Sequence, residues 1–171
     1  MDLVEWHQLV MFVITETRID GQRANAIIRR LPFDGAYFTE TIEYARGIWL
    51  LWRSDFVTMD ILLATEQEIH VIVHVRSLSH SWLLSVVYGS PRFRKRCLLW
   101  NNLKTLSEKH SLPWAVMGDF NDVTKVEEKF RGYGICSRRV MEYNNCMDFC
   151  HLIDLGFSGP KNTWTNCRDI C

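Results

Sequence analysis

Between Gly47 and Val75 three apolar stretches follow one another so closely that they read as adjacent hairpins: Gly47 to Trp52, Phe56 to Leu63 and Ile69 to Val75. The last alternates Ile, Val and Val with His70, Ile72 and His74, the period of a strand with both faces partly covered. A chain built on such a block must bury a sheet. Around it, Leu9 to Thr15 is a continuous β-branched run suited to a strand buried on both faces, Gly35 to Thr39 is a short strand and Trp82 to Tyr88 a further one. Trp114 to Met117 is a short apolar strand that runs straight into Gly118, and Asn162 to Thr165 is a last short strand. Helical spacing appears at Gln22 to Arg30, which Pro32 ends, at Arg94 to His110, and at Arg138 to His151. In the longest helix Leu98, Leu99, Asn102, Leu103 and Leu106 form one stripe. Strands alternating with a few helices predict a mixed sheet system with helices packed outside, a layered α/β sandwich in a single domain over 1–171.

Composition limits what this fold can do. With 171 residues, 47% hydrophobic and 23% charged, the chain can bury a core and is not of disordered type. Its net charge is zero, so nucleic acid would have to be met by a local basic surface. Arg92, Arg94, Lys95 and Arg96 are the candidate; the competing reading is a solvated helix start. No apolar run reaches the roughly 20 residues of a membrane span. Met1 to Thr15 carries Asp2, Glu5 and His7 and lacks the basic start of a signal peptide, so a secreted protein is not expected. The six cysteines then read as free thiols in a reducing, intracellular compartment. Cys146 and Cys150, like Cys167 and Cys171, are spaced too widely for the usual zinc pair, and the first two share one buried helix face.

Three strand ends carry chemistry. After Trp114 to Met117 come Gly118, Asp119, Phe120 and Asn121. On extended backbone Asp119 and Asn121 point the same way, one able to take a proton from water or bind a metal, the other to donate to a phosphate oxygen. Gly118 lets the backbone turn close to a substrate. The alternative is a plain turn, which Gly-Asp and Asn-Asp favour. The Leu9 to Thr15 strand ends in Glu16, Thr17 and Arg18, where α/β folds place their sites; the alternative is a surface Glu16 paired with Arg18. Trp82 to Val87 ends in Tyr88, Gly89, Ser90 and Pro91, with a phenol for a phosphate or, alternatively, an aromatic cap on the core. Together a carboxylate, a phenol and an Asp/Asn pair suit hard-cation phosphodiester chemistry.

The ordered set Glu16-Thr17, Gly47-Ile48-Trp49-Leu50-Leu51-Trp52, Tyr88-Gly89-Ser90-Pro91, Gly118-Asp119-Phe120-Asn121 and Thr163-Trp164-Thr165-Asn166 resembles the endonuclease/exonuclease/phosphatase (DNase I-like) domain of plant non-LTR (LINE-type) retrotransposons. Linking stretches such as Leu31-Pro32-Phe33-Asp34-Gly35 and Leu98-Leu99-Trp100-Asn101-Asn102-Leu103 extend the likeness over nearly the whole chain. The resemblance implies a four-layer α/β sandwich related to apurinic/apyrimidinic endonucleases and DNase I. It implies that Glu16 holds Mg²⁺ (or Mn²⁺), that Asp119 orients or deprotonates the attacking water, and that Asn121 holds the scissile phosphate. Tyr88 then lies near that phosphate, and Gly118 and Trp164 support the site. The implied reaction is DNA nicking in the nucleus, leaving a 3′-hydroxyl for an associated reverse transcriptase. The family's upstream Asn strand and its later Arg-rich and Ser-Asp-His motifs have no counterpart here, so the likeness is to a domain truncated at both ends, with impaired activity expected. No histidine stands at the place of the family's catalytic one. Arg46-Gly47 replaces the family's glycine pair. Two other functions stay open: a catalytically dead retroelement-derived remnant with at most a binding role, and a phosphatase of the same superfamily.

Overall fold

The computed structural model describes residues 3–19, 21–39, 47–124 and 136–156. They fall into two compact units, divided after Asn121. The first unit opens with a single helical turn, α1 (Leu3–Trp6), too short to leave a period in the sequence. There follow β1 (Met11–Thr15), α2 (Gly21–Ile28), β2 (Gly35–Phe38), β3 (Ile48–Trp52), β4 (Val57–Ala64), β5 (Glu68–Val75), β6 (Ser81–Tyr88), α3 (Phe93–Lys109) and β7 (Trp114–Asp119). The second contains α4 (Ser137–Phe149). Asn162 to Thr165 lies outside the described residues.

The strands form two sheets. One is antiparallel in the order β1-β3-β2, the other runs β4-β5-β6-β7. In the second sheet β4, β5 and β6 pair antiparallel, and only β7 joins β6 in parallel. That parallel step is bridged by α3, as a parallel connection requires.

Side-chain alternation builds the layers. In β3, Ile48 and Leu50 face the second sheet, where Ile69, Val71, Val73, Leu84, Val86 and Tyr88 meet them in one buried cluster. Trp49 and Leu51 face the other way, onto Ala24 and Ile28 of α2, Val4 of α1 and Phe33. On the far side of the second sheet α3 buries Leu99, Trp100, Leu103 and Leu106. The order is helix, sheet, sheet, helix, the layered α/β sandwich expected from the sequence.

Two expectations need correction. β1 is half-buried along its whole length, not buried on both faces. Among the described residues it pairs on one side only, with β3, so its flank is less covered than an inner strand's. Leu98 is 60% exposed although its spacing put it on the apolar stripe. Trp100 fills the buried face in its place, stacked on Phe120 with ring centroids 6.3 Å apart.

Under α3 the second sheet carries a buried polar chain. Trp114 Nε1 donates to Ser85 Oγ at 2.9 Å, and Ser85 Oγ lies 2.7 Å from His70 Nδ1. His70 Nε2 lies 3.1 Å from Glu68 Oε2, and Asn102 of α3 donates to the other Glu68 oxygen. Every atom is satisfied when Ser85 donates to Nδ1 and the Nε2 proton goes to Glu68. His70 is thus a structural link between β5 and β6.

In the second unit, α4 buries Tyr143 and Cys146, and Cys150 is buried at its C-cap, so the two cysteines do share one face. Cys97 and Cys136 are free thiols. Arg139 of α4 pairs with Asp122 at 3.3 Å, and Asn144 Nδ2 donates to the Thr124 carbonyl at 3.1 Å.

Candidate phosphodiesterase site

β1, β6 and β7 all end at the same edge of the first unit, because β6 and β7 are parallel and β1 packs against both. Tyr88 is paired in register with Asp119. The two carry their side chains on the face that looks toward the first sheet, since their strand neighbours Val86 and Leu84 do so. Glu16 leaves the end of β1 toward the same place: its charge, like that of Asp119, acts on the Tyr88 phenol.

The strand-end loops are locked backbone to backbone. The Gly89 N–H donates to the Asp119 carbonyl at 2.7 Å, and Asn121 Nδ2 donates to the Gly89 carbonyl at 2.7 Å. The Asn121 N–H in turn donates to Asp119 Oδ1 at 2.8 Å. Two glycines make this approach possible. A Cβ on Gly118 would stand 2.0 Å from the Val87 carbonyl oxygen, and its φ of 131° is one that other residues rarely adopt. A Cβ on Gly89 would stand 2.2 Å from the Phe120 carbonyl oxygen. Phe120, pointing away from the site onto Trp100, anchors the loop to α3.

Backbone strain gathers here. Glu16 has φ 56°, Arg18 52° and Asn121 49°, all in the left-handed region. Asn tolerates it because its short side chain can hydrogen-bond locally; Glu and Arg are uncommon there. Such residues persist where the surroundings hold them, and they collect at functional sites.

The electrostatics follow from burial. Tyr88 is only 4% exposed. Loss of water pushes its phenol above the usual tyrosine range, and the Glu16 charge, then that of Asp119, push the same way; a hydrogen bond from Asn121 and the charge of Arg18 pull back. Tyr88 is therefore a neutral hydrogen-bond donor at neutral pH. Arg18 hydrogen-bonds to the Glu16 carboxylate, which raises the Arg18 pKa. Glu16 is thus both paired with Arg18 and close enough for its charge to act on Tyr88.

Glu16, Tyr88, Asp119, Asn121 and Gly118 come together as the sequence suggested, and Trp164 lies outside the described residues. Of the four basic residues at the start of α3, Arg96 is fully buried with its guanidinium on the Ser90 carbonyl, and Lys95 pairs with Glu66 at 3.2 Å. Only Arg92 and Arg94 are exposed, which narrows the basic surface expected from sequence. Sequence reasoning missed Gln67, whose side chain spans from Ser90 to Lys95. A lone Gln in a hairpin turn gives no signal of it.

Glu16 and Asp119 offer oxygen donors alone, which suits a hard cation. Mg²⁺ is commonly bound through one or two carboxylates and keeps several waters, so the donor set fits. Among the described residues no three His, Cys, Asp or Glu side chains come together. No described helix is long and apolar enough to cross a membrane.

No protein-family model and no curated protein sequence matches this chain. Solved structures do. The human Nocturnin catalytic domain with a bound sulfate anion superposes with a TM-score of 0.53 at 14% identity, over 70% of this chain and 54% of that one. Truncated TDP2 of Caenorhabditis elegans gives 0.48 at 11% identity, over 71% of this chain and 53% of that one. D. rerio TDP2 complexed with a single-strand DNA product gives 0.46 at 14% identity, over 70% and 51%. This chain spans about half the length of these structures. The fold is the α/β sandwich of the DNase I-like type.

Proposed function

We propose that the chain belongs to a metal-dependent phosphodiesterase that nicks DNA in the manner of a retrotransposon endonuclease, acting in the nucleus. The observation that carries this reading is the meeting of Glu16, Tyr88, Asp119 and Asn121 at one sheet end, with Glu16 and Asn121 both in left-handed backbone. Asp119 is exposed and takes the proton of an attacking water. Tyr88, kept neutral by burial, donates to a phosphate oxygen. Asn121, hydrogen-bonded to the Gly89 carbonyl and to the Tyr88 phenol, holds the geometry where the phosphate would lie. Glu16 holds Mg²⁺ or Mn²⁺. The ion, when bound, supplies charge stabilisation at the phosphorus centre.

A supercoiled-plasmid nicking assay tests this. Slow Mg²⁺-dependent nicking is expected, in line with the impaired activity that the resemblance implies, and Asp119→Ala should lower its rate by about 10²- to 10⁴-fold, the span of a lost general base. Nicking of equal rate in Asp119→Ala, or none in the wild type, would overturn it.

A second reading draws on the Arg18–Glu16 pair. With that carboxylate already matched by a cation, the chain is a remnant that binds DNA and does not cut it. Calorimetry with Mn²⁺ separates the two: binding abolished by Glu16→Gln supports the enzyme, and a folded chain with no Mn²⁺ binding supports the remnant.

A further inference from the structure

We propose that Gln67 is a positioning residue of this site, setting the turn on which Asn121 and Tyr88 are mounted; the proposal rests on the phosphodiesterase reading above. Gln67 lies in the short turn between β4 and β5, yet it is 4% exposed. Such turns ordinarily run over the surface in water. This one is tucked against the end of β6 and the start of α3.

Every polar group of Gln67 is used, and two of its four partners flank Gly89 in one turn. Its backbone carbonyl accepts from the Tyr88 N–H at 2.8 Å. Its side-chain Oε1 accepts from the Ser90 N–H at 2.8 Å, and its Nε2 donates to the Lys95 carbonyl at 3.0 Å. Its own N–H donates to Thr65 Oγ1 at 3.1 Å, which holds the turn itself. Gln67 therefore grips Tyr88 and Ser90, the residues on either side of Gly89, and ties them to the first turn of α3. From beneath, the buried Arg96 guanidinium donates to the Ser90 carbonyl.

Gly89 is the residue left between those grips. Its N–H reaches the Asp119 carbonyl and its carbonyl receives Asn121 Nδ2. The orientation of the Gly89 peptide planes thus helps set where the Asn121 carboxamide points, together with that side chain's hydrogen bond to the Tyr88 phenol. Gln67 is two links from Asn121; it holds Tyr88 through the backbone N–H alone and touches none of the side chains assigned to the phosphate. A merely structural amide would stabilise the turn without governing Asn121, and that difference is measurable.

The experiment uses the whole chain with ¹⁵N-labelled asparagine side chains, the Asn121 signal being assigned from its loss in Asn121→Ala. Gln67→Met keeps the shape and removes both side-chain bonds; Gln67→Glu keeps an acceptor for Ser90 and loses the donor to Lys95. Gln67→Met is expected to speed exchange of the Asn121 carboxamide protons by about tenfold or more. It should also lower kcat for an oligonucleotide by about 100-fold, the effect of a roughly 1 Å misplacement, with KM nearly unchanged. Gln67→Glu should fall between on both readouts, and it carries the test alone if Gln67→Met does not fold. Unchanged Asn121 exchange in a folded variant overturns the proposal, whatever the wild type does to DNA. A wild type that does not nick, with Asn121 exchange still responding to Gln67, supports the positioning role and sinks the phosphodiesterase reading instead.

Discussion

Gly118 and Tyr88 show how single positions shape the strand ends. With a φ of 131° and the Val87 carbonyl where a side chain would go, Gly118 has room for nothing larger. Gly118→Ala is expected to cost at least about 2 kcal/mol in urea melts, well beyond an ordinary surface change; a loss below about 0.5 kcal/mol would mean the strand end relaxes freely. Tyr88 predicts an alkaline dependence. Its pKa is raised in the fold, first by burial and then by Glu16, so its neutral form is the one the fold favours. That contribution is complete below the unfolded value of about 10 and is lost as pH rises through the higher folded value. Tyr88→Phe should therefore lose less stability than the wild type as pH rises above about 10. Phenolate absorbance, wild type minus Tyr88→Phe, should show Tyr88 titrating above the ordinary tyrosine range and earlier once Glu16→Gln removes the charge. At this scale the site was readable where a residue sits at a strand end: Glu16, Tyr88 and Asp119 each follow an apolar run. Gln67 was not, because its role exists only once a hairpin turn meets the end of another strand.

Helix α3 separates what an element's period reveals from what it hides. Its spacing marked Leu99 and Leu103 correctly, and both are fully buried. It also marked Leu98, because a stripe read from sequence cannot tell its own edge from its centre. Leu99→Ala should cost about 2–5 kcal/mol, the usual range for an emptied core position, and Leu98→Ala less than about 0.5 kcal/mol, by thermal or urea unfolding. The basic start of the same helix divides likewise. Arg96 and Lys95 serve the fold, and of the four only Arg92 and Arg94 remain exposed. The double change Arg92→Glu and Arg94→Glu should weaken duplex binding and reduce the slope of log affinity against log salt by about 2. An unchanged slope would assign them to solvent. The strands β2 to β6 lie within a residue or two of where alternation put them, since buried sheet leaves a period of two in the sequence. β7 extends further than expected, through Asp119. α1 was missed, one turn being shorter than any period.

Over the whole molecule, stability should be uneven. β5 and β6 are inner strands with α3 on one face and the first sheet on the other, whereas β1 is only half-covered. Native-state hydrogen exchange should find the amides of Val71, Val73, Leu84 and Val86 among the last to open and those of β1 earlier; the reverse order would show that the first sheet is the more stable. A layered sandwich was legible from the succession of strands and helices and its four layers from the resemblance, but the pairing of β1 with β3 across α2 and β2 was in neither, since no local pattern encodes a distant partner. The Trp114–Ser85–His70–Glu68–Asn102 chain ties these layers in another respect, that of how the sequence can drift. Replacing His70 alone strands Ser85 and Glu68 in a buried place, which is costly, while replacing the whole set by apolar residues of like size need not be. Between the two states every single step runs downhill in stability. The polar chain is thus a local peak that descendants leave only by several changes at once, and it should outlast exposed strand-end residues such as Asp119 in lineages where no function selects for them.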